Sequence, residues 1–117
     1  MNLSKFFKSF RYAFHGLYLI AKGEQSFRVQ LLIGTVVIIL VVVFPLEAWE
    51  RILMILMVSA VLVLEVINSI FERISDALKP RLHPMVKEVK DMMAGAVLLT
   101  SVTAVVVAVL IFYSYFI

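Results

Sequence analysis

Four polar residues inside and just beyond a long apolar run carry the chemistry this sequence can offer: Glu65, Asn68, Glu72 and Asp76. Their spacing of i, i+3, i+7 and i+11 places them within an arc of about 80° on an α-helix, a single polar stripe roughly three turns long. An ionisable side chain at the centre of a membrane helix costs roughly 2.5–3.5 kcal/mol on insertion scales, so such a stripe implies use. Glu65 and Glu72 stand about 10 Å apart along the axis, too far to share one small metal ion. Separate roles follow. Glu65, the deeper, suits a proton acceptor. Glu72, nearer water, suits a hard cation with help from another oxygen donor such as Glu24. Each residue also has a bland reading. The stripe could pack against other helices with Lys or Arg partners, Lys90 could be a snorkelling interface lysine, and Glu24 and His83 could be solvated loop residues. Four polar groups in register with one membrane face favour a site.

The elements that must position these residues are apolar helices. Of 117 residues, 63% are hydrophobic and 16% charged, against about 45–50% and 25% in soluble domains. The class is integral membrane and all-α, a single domain over 1–117 by length. The chain has no cysteine, which excludes a disulfide framework, a thiolate nucleophile and a Cys-based zinc site. Lys5, Lys8, Arg11, Lys22, Glu24 and Arg28 interrupt the first 30 residues, so a cleaved signal peptide is not expected.

Residues 3–22 read as an amphipathic surface helix, with Phe6, Phe7, Phe10, Phe14 and Leu17 on one side and Lys5, Lys8, Arg11, Tyr12, His15 and Lys22 on the other. A polar break, Gly23 to Arg28, precedes a first span over 29–46. A polar turn, Glu47 to Arg51, with Trp49 at the interface, precedes a second span over 52–71. Residues 73–91 read as a polar segment broken near 79–83 by Pro80 and Pro84. A third span covers 92–117, where Ala94, Gly95, Ala96, Ser101, Ala104 and Ala108 permit close helix packing. Five basic residues precede the first span, five lie between the second and third, and only Arg51 lies in the other connection. The positive-inside rule then puts the N-terminus and residues 73–91 in the cytoplasm and the C-terminus outside. The polar end of span two, Glu24 and Lys90 meet on the cytoplasmic side, where ATP is available.

No GxxxxGK[ST] loop and no kinase-type Gly-rich loop with HRD and DFG is present. Any phosphoryl transfer must use acids, a lysine and Mg²⁺ arranged across helices, because the chemistry needs phosphate charge offset and a hydroxyl oriented.

EVINSIFERISD resembles the E-x-x-N-[ST]-A-x-E-x-x-x-D signature of the small bacterial membrane lipid kinases, the diacylglycerol kinase and undecaprenol kinase family. KDMMAGAVLL resembles that family's KD-x-x-A-[AG]-A-V-L block, GEQSFR its E-x-x-F-[RQ] element, and FFKSF its surface helix. The resemblance covers nearly the whole chain. It implies a homotrimer that uses MgATP to phosphorylate a membrane lipid alcohol, at sites shared between neighbouring subunits. By motif position it makes Glu65 the catalytic base and a substrate contact, and gives the metal to Glu24 and Glu72. It lines the ATP site with Tyr12, Glu24, Asn68, Glu72, Asp76, His83, Lys90 and Asp91, and sets Ala94 against the lipid substrate. Ile70 stands where the family usually has Ala, and Phe71 follows it. The His83-Pro84 pair and the FFKSF start are more similar to the undecaprenol kinase branch, which favours a polyprenol. Two other classes compete. A small transporter subunit could use Glu65 for proton coupling but has no need of Glu72, Asp76, Lys90 and Asp91 together. A non-catalytic assembly or lipid-binding protein leaves the whole stripe unexplained. No nucleic-acid partner is expected.

Overall fold

The computed structural model describes residues 2–77 and 84–116, which form four α-helices: α1 (Leu3–Gly23), α2 (Gln25–Val43), α3 (Ala48–Ala77) and α4 (Pro84–Phe116). The last three are long and apolar enough to cross a membrane. At 1.5 Å per residue α2 runs about 28 Å, close to the hydrocarbon thickness, and α3 about 45 Å, so α3 must project beyond it.

The helix ends have local causes. The Asn2 side chain caps α1 by accepting from the backbone N–H groups of Ser4 and Lys5 at 3.0 and 3.4 Å. The polar break expected over Gly23 to Arg28 narrows to Glu24 alone, whose extended backbone (φ −119°, ψ 111°) separates α1 from α2. The polar side chains of Gln25, Ser26 and Arg28 are tolerated in the first turn of a helix, so α2 starts before the apolar run. It stops at Val43 because Phe44 precedes Pro45 and is forced to extended geometry (φ −75°, ψ 148°).

The 73–91 segment is also more helical than expected. Helix α3 continues to Ala77 and α4 begins at Pro84, at the helix position where the missing N–H of proline costs nothing. Glu72, Arg73 and Asp76 have no helix-breaking chemistry; polarity changed there, not backbone preference. The turn expected over Glu47 to Arg51 is likewise mostly the first turn of α3.

The bundle has two unlike ends. At one, Val41, Leu46, Met54, Ile111 and Phe112 form a buried apolar cluster. Phe44 meets Phe112 and Tyr115 edge-to-face there, with centroids 5.4 and 6.4 Å apart. Buried Glu50 accepts from the Tyr115 hydroxyl at 2.7 Å and from the Glu47 N–H at 2.9 Å. Arg51 donates to the carbonyls of Val41 and Phe44, closing the end of α2. At the other end the buried residues of α3 are polar: Glu65, Ser69 and Ser75. Between the ends, α2 and α3 pack closely enough that a Cβ on Gly34 would lie 3.0 Å from a Val58 methyl. An apolar crevice of about 220 Å³ between α2, α3 and α4 has Gln30 among its lining residues.

Two arginines from different helices fasten the end of α1. Arg28 donates to the carbonyls of Ala21 and Lys22 at 2.8 and 3.0 Å, and Arg73 to that of Leu19 at 3.3 Å. Both satisfy last-turn carbonyls and place positive charge at the negative end of the helix dipole.

Candidate active site

The stripe on α3 is graded by depth. Glu65 is 6% exposed, Asn68 and Glu72 are half-buried, and Asp76 is exposed. This is the gradient expected of one helical face leaving an apolar environment. The Asn68 amide donates to Glu72 Oε1 at 3.3 Å, a one-turn contact within α3 that orients the shallower carboxylate.

The start of α2 supplies the other half. Glu24 is the N-cap of α2, where a carboxylate ordinarily accepts from its own helix's free N–H groups. It makes no such bond. Its carboxylate instead accepts from the Ser69 hydroxyl of α3 at 3.2 Å. Two residues on, the Ser26 hydroxyl lies 3.2 Å from each oxygen of Glu65. The two antiparallel helices thus exchange a reciprocal pair of bonds: a serine of α3 to an acid of α2, and a serine of α2 to an acid of α3. Ser69 and Glu65 are buried, at 2% and 6% exposed, whereas Glu24 is half-buried and Ser26 exposed, so the junction runs from the buried face of α3 to the surface of α2.

Sequence reasoning singled out the acids and missed Ser26 and Ser69. Both lie in the quoted GEQSFR and EVINSIFERISD segments, and Ser69 shares a helical face with Glu65 and Glu72 at i+4 and i−3. That face was readable. The pairing across helices was not.

The remaining expected residues sit around this junction with different closeness. Lys90 of α4 approaches Asp76 Oδ1 of α3 at 4.0 Å, which brings the start of α4 to the open end of the stripe. Asp91 pairs with Lys87 at 3.2 Å on its own helix, not with the stripe, and Ala94 is exposed on α4. Tyr12 lines an open crevice of about 340 Å³ between α1 and α3, whose lining includes Ser69, Ile70 and Arg73. Ile70 and Phe71 are exposed, and Ile70 lines that crevice. His83 lies outside the described residues.

No group of three or more His, Cys, Asp or Glu close enough to hold a metal occurs among the described residues. The donors present are nonetheless of the right kind for magnesium. Mg²⁺ is usually held by one or two carboxylates with phosphate and water completing its shell. Glu24 is tied to Ser69, and Glu72 follows Ser69 by three residues on the same face, about 4.5 Å along the axis.

The family model described as prokaryotic diacylglycerol kinase matches residues 11–112. The chain is 31% identical to an undecaprenol kinase of Bacillus subtilis, over 95% of this chain and 90% of that protein. It is 34% identical to a diacylglycerol kinase of Synechocystis, over 85% of this chain and 57% of that protein. It is 28% identical to the Escherichia coli K12 diacylglycerol kinase, over 98% and 94% of the two chains. The matched region holds α2, α3 and the described site residues from Tyr12 to Ala94. The chain belongs to the prokaryotic diacylglycerol kinase family.

Proposed function

We propose that this protein is a membrane lipid kinase that transfers the γ-phosphoryl group of ATP to the hydroxyl of a lipid alcohol, undecaprenol or diacylglycerol, at the cytoplasmic interface. The observation that carries the reading is the buried Glu65 carboxylate, held across helices by Ser26 at 3.2 Å and next to the Glu24–Ser69 pair, in a chain of this family. A proton acceptor beside two further acids at the mouth of an apolar bundle fits an alcohol acceptor and a phosphorylated donor.

Glu65 accepts the proton of the lipid hydroxyl as its oxygen bonds to the γ-phosphorus. The bond from that phosphorus to the β–γ bridging oxygen breaks, and ADP leaves with the electron pair. Glu24 and Glu72 would hold the magnesium ion, which supplies charge neutralisation to the phosphates when bound. Lys90 offers its ammonium to the γ-phosphoryl oxygens, while Asn68 and Asp76 orient groups nearby. Tyr12, His83 and Asp91 contact the nucleotide and Ala94 the lipid. The apolar crevice that includes Gln30, one helical turn from Ser26, supports a substrate with a long hydrocarbon part.

In this reading α1 lies on the membrane surface, its basic side toward anionic headgroups. The N-terminus and the α3–α4 connection are cytoplasmic, the C-terminus lies outside, and the protein works as a homotrimer. The family match gives no support to the proton-coupled transporter reading. The test is phosphorylation from radiolabelled ATP in mixed micelles offering diacylglycerol and undecaprenol side by side. Labelled lipid phosphate from either is expected, with undecaprenol favoured; label in neither would refute the proposal.

A further inference from the structure

The catalytic reading uses the acids and leaves Ser26 without a role. We propose that Ser26 is a positioning residue for Glu65: from the first turn of α2 its hydroxyl holds one carboxylate oxygen and leaves the other to face the lipid hydroxyl. The inference rests on the assignment of Glu65 as proton acceptor.

Three observations carry it. Ser26 Oγ lies 3.2 Å from both oxygens of Glu65, yet a hydroxyl has one proton and donates to one oxygen at a time. The second oxygen is therefore left to accept. Among the described residues, no other hydrogen bond or ion pair reaches the Glu65 carboxylate. Finally, Ser26 is itself located by a second bond. Glu24, two residues earlier, is held to α3 by Ser69 at 3.2 Å, which sets the register of α2 against α3 next to the base. The backbone of α2 is anchored, the hydroxyl is anchored to the backbone, and the carboxylate is anchored to the hydroxyl.

Without this bond the Glu65 side chain keeps three rotatable torsions, with no donor among the described residues to select among them. A misplacement of about 1 Å at a reacting group can cost on the order of 100-fold in rate. Ser26→Ala should therefore lower kcat by about 30-fold while KM for ATP and for lipid stays within about twofold. Ser26→Thr keeps the donor and should restore kcat to within about threefold of the parent chain. In a Glu65→Gln background, Ser26→Ala should change the residual activity by less than about twofold, because the two residues act as a unit.

The experiment is steady-state kinetics of these full-length variants in mixed micelles, with melting temperatures recorded alongside. A selective loss of kcat in Ser26→Ala, rescued by Thr and absent in the Glu65→Gln background, supports the role. If Glu65→Gln is inactive but Ser26→Ala turns over within twofold of the parent, Ser26 does not position the base, and the kinase reading stands untouched. If Ser26→Ala and Ser26→Thr lose kcat alike, or the loss follows a lowered melting temperature, the hydroxyl is only a packing contact and the inference fails. If Glu65→Gln itself turns over near the parent rate, the assignment beneath both is overturned.

Discussion

Glu65, Glu72 and Glu24 are all carboxylates near one membrane face, and their surroundings separate what each can do. Glu65 is buried and meets one hydroxyl; Glu72 is half-buried and meets the Asn68 amide; Glu24 has left its own helix cap for Ser69. Replacing Glu65 with Gln keeps the volume and removes the proposed proton acceptor. Turnover is expected to fall by at least about 100-fold with nucleotide affinity little changed, read by kinetics and an ATP-analogue titration. Glu72→Gln and Glu24→Gln should instead raise the Mg²⁺ concentration needed for half-maximal rate, by about tenfold each. A magnesium titration checks this, and an unchanged requirement in both variants would remove them as metal ligands. These acids could be picked out in sequence because a charge in an apolar run stands out by cost alone. Ser26 and Ser69 could not, since a hydroxyl is cheap in a membrane helix and leaves no such signal.

Among the helices, the α2–α3 contact does most to build the site, and Gly34 permits it. A Cβ there would lie 3.0 Å from Val58, so Gly34→Val forces the two helices apart or strains their side chains. Overpacking of this kind typically costs about 1–3 kcal/mol. The variant should melt several degrees lower in detergent and lose activity, because separation of α2 from α3 parts Ser26 from Glu65. The end of α1 answers to a different pair of residues. Arg28 and Arg73 hold its last carbonyls, and removing both with alanine should speed amide exchange over residues 19–23 by about tenfold. Helix existence was legible from apolar period and length, but the first span was expected to run to Leu46 and its helix stops at Val43, because the apolar run continues past Pro45 while the backbone before a proline turns extended. The extent of α3 and α4 through the polar 73–91 region was not legible, because polarity marks where a helix leaves the membrane, not where its backbone hydrogen bonds end.

Across the whole molecule, packing is uneven in a way that suits a membrane enzyme. The chain exposes 8716 Å², against about 6,450 Å² for a compact soluble protein of 13.3 kDa. Much of the excess is apolar: Leu32, Val42, Leu98, Leu99 and Leu110 are each about two-thirds exposed or more. Lipid tails or further copies of the chain must cover them. The aromatic end around Phe44 and Glu50 is closed, while the end holding Glu65 is polar and open to crevices. Because Glu24, Ser26, Glu65 and Ser69 come together within one chain, co-assembling Glu24→Gln chains with Glu65→Gln chains should restore no activity, as each site would carry one defect. Recovery to more than about a tenth of the parent rate would show that the acids combine across subunits instead.

By itself the sequence determined three apolar helices, an acid stripe on one face of the second, and the residues that resemble a lipid kinase motif. Each follows from composition, from a period of 3.6 or from spacing within a dozen residues, and each is a local property of the chain. The tertiary structure decided which acid meets which hydroxyl. Ser26 and Glu65 are 39 residues apart, and Ser69 and Glu24 are 45 apart. Their pairing depends on the register of α2 against α3, to which close packing at Gly34 against Val58 contributes, and no short-range pattern encodes it.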